Sequence, residues 1–122
     1  MKIKLLIGVL FMGLISYYSC QKENNPSGYP FKAEVMGINP DCGIYQIRIT
    51  DGQDKAESIV GKSAEANIYI ANNLPDELKI NGLRIMLDLR KPEINELGVC
   101  TDMGPSYTWV FVTKAKKEQN AL

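Results

Sequence analysis

Residues 83–90 read Leu83-Arg84-Ile85-Met86-Leu87-Asp88-Leu89-Arg90. Every odd position is aliphatic, and the even positions carry Arg, Met, Asp and Arg. A period of two is the mark of an extended strand with one dry and one wet face. The register is tightly specified, because a slip of one residue would bury Arg84, Asp88 and Arg90. Leu83, Ile85, Leu87 and Leu89 are therefore expected in one core, facing Val35, Ile47 and Trp109 or Phe111. Arg84, Asp88 and Arg90 are expected in water. Lys91-Pro92 ends the strand, since proline brings no N–H to a ladder.

Similar patterns occur on both sides. From Phe31 to Met36, Phe31, Ala33 and Val35 alternate with Lys32, Glu34 and Met36. Gly37 to Asp41 is turn chemistry, with Asn and Asp able to bond back to the chain. Ile44 to Thr50 places Tyr45, Ile47 and Ile49 against Gln46 and Arg48, and Asp51-Gly52 closes the segment. Asn67 to Ala71 is a fourth candidate, stopped by Asn72-Asn73. Tyr107 to Ala115 is the last. Its Trp109, Phe111 and Ala115 alternate with Val110 and Val112, so both faces are apolar and the strand is expected to be covered on both sides, with residues 53–66 as a candidate cover.

Between the strands, Asp54-x-x-Glu57 has the spacing of a helix cap, with Ala56, Ile59 and Val60 on one side and Gly61 limiting the length. A short strand at Ser58–Val60 is the alternative. Pro75-Asp76-Glu77-Leu78 reads as one helical turn, proline first and acids at its positive end. Residues 93–106 form a long loop carrying Gly98, Cys100 and Gly104-Pro105. A loop of that length in a small domain is normally constrained or functional.

Five strands punctuated by turns make this an all-β chain, either a small barrel or a sandwich of two sheets. Within a single domain read over 30–117, three strands, one short helical turn and two further strands, over roughly residues 30–116, resemble the OB-fold, whose helix lies between its third and fourth strands. The resemblance is one of topology and implies a five-stranded OB-like barrel. Barrels of that kind bind oligosaccharides, oligonucleotides and proteins.

The N-terminus indicates where the domain works. Met1-Lys2-Ile3-Lys4 is followed by the uncharged stretch Leu5 to Ile15, then Ser16-Tyr17-Tyr18-Ser19-Cys20. A basic start, a short apolar segment and a small residue at the processing point make a secretory signal. The apolar stretch is shorter than the roughly 20 residues of a bilayer span. Ser19-Cys20 resembles the cleavage and acylation point of bacterial lipoproteins, although Tyr17 and Tyr18 stand where a Leu-like and a small residue are usual. The resemblance implies lipidation at Cys20 and anchoring to the outer membrane. Gln21-Lys22-Glu23 resembles the surface-export tag of Bacteroidetes-type lipoproteins. Residues 20–29 then read as a flexible tether, and 118–122 as a polar tail.

Removing residues 1–19 from the 122 leaves 103, enough for one modest core. Lys2 and Lys4 leave with the signal, so 12 of the 14 basic side chains remain against 14 acidic ones. Such a balance gives no surplus to grip a phosphate backbone, and nucleic acid is not an expected partner. Cys42 and Cys100 remain as an even pair in an oxidising compartment, which predicts a disulfide.

Histidine is absent. No Ser-His-Asp or Cys-His pair can form, and no P-loop, GxSxG or HExxH motif occurs. Glu93, Glu96 and Asp102 share the long loop, but their spacing fits no calcium loop. No cofactor or metal is implied. The residues with recognition character are Tyr45, Met103, Tyr107 and Trp109, the last two beside Gly104-Pro105. Large rigid rings suit a binding edge. The plainer alternative is that Trp109 is a core residue and Tyr107 packs at the strand start. The sequence thus points to a lipid-anchored, non-enzymatic binding module whose partner is a glycan or an envelope or host protein. The alternatives are an accessory subunit of an outer-membrane complex and a carboxylate- or metal-dependent enzyme.

Overall fold

The computed structural model describes residues 28–101 and 103–119. The signal segment, Cys20, most of the tether, Asp102 and residues 120–122 lie outside the described residues. Five strands are present: β1 (Phe31–Ile38), β2 (Tyr45–Asp51), β3 (Ile68–Asn72), β4 (Arg84–Arg90) and β5 (Trp109–Lys117). They close into one barrel in the order β1-β2-β3-β5-β4. β3 and β5 run parallel, and every other neighbouring pair is antiparallel. The fold is a small all-β, OB-like barrel.

Closure depends on β1, which pairs with β2 along one edge and with β4 along the other. Between Val35 and Ile38 its register against β2 gains a residue. Such bulges bend and twist a strand, which lets the sheet curl onto itself. Phe31, Ala33, Val35, Ile47, Ile49, Ile85, Leu87 and Leu89 fill the interior, as their alternation requires. Leu83 lies just before β4 and is half-buried, packing against the rim of this core.

The outer face of β4 is drier than its sequence suggests. Arg84 is exposed, but Asp88 and Arg90 are half-buried and Met86 is buried. Met86 lies between Lys32 of β1 and Lys116 of β5 in the register, where long lysine stems can cover it.

β5 overturns one expectation. Its core side chains are Val110, Val112 and Ala115, while Trp109 and Phe111 point outward and are half-buried. The reason is a bulge. Asp88 pairs with Lys114 but Leu89 pairs with Val112, leaving Thr113 without an opposite number. The alternation therefore inverts at Thr113, a shift that a strict period of two cannot foresee.

The helical elements stand where the sequence favours them, with a different cap. An eight-residue helix, α1 (Gln53–Val60), stands between β2 and β3 and sends Ala56 and Val60 into the core. Its N-cap is Gly52, not Asp54, which lies in the first turn. Gly52 has φ 89°, and a Cβ there would sit 2.7 Å from the Phe31 ring, so only glycine fits the turn into α1. Gly61 ends the helix, its N–H bonding to the Glu57 carbonyl. Between β3 and β4 there is a single 3-10 turn, Asp76–Leu78, whose Leu78 enters the core.

Candidate functional site

The long β4–β5 connection is a braced strap, and its bracing starts at the β1–β2 turn. Asn39, 5% exposed, holds that turn. Its Oδ1 accepts from the N–H groups of Asp41 (2.8 Å) and Cys42 (2.9 Å), and its Nδ2 donates to Gln46 Oε1 at 2.5 Å. The turn presents Cys42, which forms a disulfide with Cys100 of the strap across 58 positions. Beside the bridge, Thr101 donates its N–H to the Asp41 carbonyl and its hydroxyl to Asp41 Oδ1, both at 3.0 Å.

The near limb is pinned to β4. Arg90 donates two bonds to the Glu96 carboxylate, both 2.9 Å, and its guanidinium lies 4.1 Å from the centre of the Phe111 ring. Glu96 also accepts from the Glu93 N–H at 2.8 Å, closing a capping box over the 3-10 turn Ile94–Glu96. These two donors, Arg90 first, hold the Glu96 carboxyl below its usual range. Asn72 of β3 donates to the Glu96 carbonyl at 2.6 Å. Further on, Gly98 passes so close over Trp109 that a Cβ would lie 2.8 Å from the indole. The strap thus crosses the outer face of β3 and β5 to reach the β1–β2 turn. It is this strap, rather than residues 53–66, that covers Trp109.

The return limb is tied to the α1–β3 connection. Tyr107 donates its hydroxyl to Glu65 at 3.0 Å, and that bond is the main reason its pKa is raised. Thr108 donates its N–H to Ser63 Oγ (2.8 Å) and its hydroxyl to the Lys62 carbonyl (2.6 Å). Its own carbonyl accepts from Ile70. Residues 61–67 therefore guide β5 into the barrel without capping its outer face.

Tyr107 and Trp109 share one groove of about 130 Å³ with Asp41, the disulfide and Pro105. Tyr45 does not line it; that ring is half-buried at the edge of the core, opposite Ile38 in the β1–β2 register. Met103 does not line it either and is 80% exposed. The four residues singled out from sequence thus divide into two that meet and two that stand apart.

More of the strap's apolar surface was not anticipated. Ile94 is 86% exposed, Val99 89% and Leu97 49%, so with Met103 four large apolar side chains stand in water on one fixed loop. Nor did the sequence reading identify Asn39 or the Arg90–Glu96 pin. The available signals were Glu93-x-x-Glu96 after Pro92, which has capping-box spacing, and aliphatic residues recurring in a loop instead of in an element. Glu96, considered above with Glu93 and Asp102 as a calcium ligand, spends both carboxylate oxygens on Arg90.

No family model, curated protein or solved structure matches the chain.

Proposed function

We propose that the protein is an exported lipoprotein, anchored through Cys20, whose barrel is a non-enzymatic binding module for an envelope or host protein. The observation that supports a protein partner is the exposure of Ile94, Leu97, Val99 and Met103 on a strap held by a disulfide and a bidentate ion pair. Exposed apolar side chains favour association, because covering them removes apolar area from water. A loop already fixed in place gives up little conformational freedom on docking. The absence of histidine and the engagement of Glu96 with Arg90 favour binding over chemistry.

The test is a variant carrying Ile94→Asp and Val99→Asp. Both side chains are exposed, so its thermal melt should match the parent, while capture of the envelope or host partner by the anchored protein should be lost. Unchanged capture would remove the strap from the interface. A second reading, a glycan ligand, is supported by the groove that Tyr107 and Trp109 share. It predicts glycan-array binding that survives the strap variant and disappears with Trp109→Ala.

A further inference from the structure

The barrel's other exposed feature lies where the chain enters it. Tyr29 is separated from β1 by Pro30 alone, and its ring has Lys114 Nζ at 5.0 Å and Lys116 Nζ at 4.8 Å. Gly28 packs against the Lys114 ammonium. Lys32 is on the same outer face, separated from Lys116 only by Met86 in the register of β1, β4 and β5. Three acidic groups stand on this face, and Asp51 is opposite Lys32 in the β1–β2 register. Glu118 pairs with Lys32 at 3.7 Å. Asp88 stands opposite Lys114, and its Oδ1 accepts the Leu89 N–H. Lys114 and Lys116 form no salt bridge within the described residues, and both are exposed.

We propose that this face, Tyr29 with Lys32, Lys114 and Lys116, rests on the anionic surface of the bilayer that holds the anchor. The inference rests on lipidation at Cys20. Eight residues, Gln21 to Gly28, separate Cys20 from Tyr29. A chain of that length reaches at most about 32 Å at full stretch. The entry point therefore stays within that reach of the headgroups, and Lys114 and Lys116 lie against its Tyr29 ring. Ammonium groups gain attraction from anionic headgroups within about a Debye length, near 8 Å at physiological salt. Tyrosine suits the headgroup layer, its ring apolar and its hydroxyl wet. The same strand carries Trp109 at its other end, about 23 Å away at strand spacing, so seating Lys116 on the bilayer leaves the strap at the far end of β5.

The experiment uses the acylated full-length mature protein in two kinds of vesicle, neutral phosphatidylcholine and phosphatidylcholine mixed with phosphatidylglycerol. Lysines are labelled with an amine-reactive ester and read by mass spectrometry. Labelling of Lys114 and Lys116 should fall about fivefold or more in the anionic vesicles. Lys62, whose side chain is 85% exposed, should be labelled equally in both. High salt should restore labelling. In a variant with Lys114→Gln and Lys116→Gln, Lys32 should lose its protection while incorporation is unchanged. Equal labelling of Lys114 and Lys116 in both vesicle types, on incorporated protein, would overturn the proposed face and leave the anchor standing. Protection by inorganic phosphate without vesicles would mark a soluble-anion site and overturn it as well. Failure to enter either vesicle would overturn the anchor and this orientation together.

Discussion

Leu87 has no exposed surface and sits where three strands meet, with Phe31 of β1 and Ala115 of β5 as its register partners. Both neighbours are held by ladders, so they cannot collapse into a hole. Leu87→Ala should cost about 2–5 kcal/mol in urea denaturation, a large part of a small domain's stability. Arg84 is on the same strand but exposed, and Arg84→Ala should stay within about 0.5 kcal/mol. Equal tolerance of the two changes would show that β4 is not a core strand. Glu96 gives a pH signature. Its pKa is depressed in the fold by Arg90 and the Glu93 N–H. A depressed carboxylate stabilises the fold above its unfolded value, and that contribution is lost as pH falls from the ordinary glutamate range through the lower folded value. Amide exchange over residues 93–100 should therefore accelerate across that acidic window, and Glu96→Gln should already exchange fast at neutral pH. A wild-type strap whose exchange, corrected for intrinsic pH dependence, is flat through that window would show that the ion pair does not hold it.

At the scale of elements, the strap behaves as one unit because its pins come from different strands. The disulfide closes a loop across 58 positions, which in the chain-entropy account contributes about 4 kcal/mol. Replacing Cys42 and Cys100 together by serine should lower unfolding stability by up to that amount. It should also expose the amides of residues 93–106 to exchange before those of β1 and β4. If both regions lost protection together, the strap would be part of the barrel's single cooperative unit. Legibility from sequence divides along the same line. β1, β2 and β4 are readable because their polar residues alternate with apolar ones and print a period of two, whereas β3, buried on both faces, is legible only from its Ile and Tyr content. β5 was placed correctly as a strand but assigned the wrong inner face, because a bulge at Thr113 leaves no mark in composition. The disulfide followed from parity and compartment. The Asn39, Asn72 and Arg90 contacts that brace the strap join residues distant in sequence or hidden in loop geometry, and only the closed barrel brings them together.

For the whole molecule, the anchor proposed at Cys20 would decide what the barrel can meet. If that anchor forms, the eight residues Gln21 to Gly28 would hold the domain within about one domain diameter of the bilayer, and its partners would be those at the envelope surface. Cys20 lies outside the described residues and the fold does not need it: the barrel's disulfide uses Cys42 and Cys100 alone. Cys20→Ser should accordingly separate location from folding. The variant should incorporate no fatty acid and leave the membrane fraction, yet melt at the temperature of the parent domain. Lysine contacts alone should not retain it, because a few exposed ammonium groups are screened at physiological salt whereas a buried acyl chain is not. Fatty-acid labelling and fractionation at low and high salt would distinguish the two contributions. Release only at high salt would mean that the basic face holds the protein without an anchor. A variant that still takes up fatty acid and sediments with membranes would show that acylation occurs elsewhere in the chain, and the position of the barrel relative to the bilayer would have to be rebuilt from that residue.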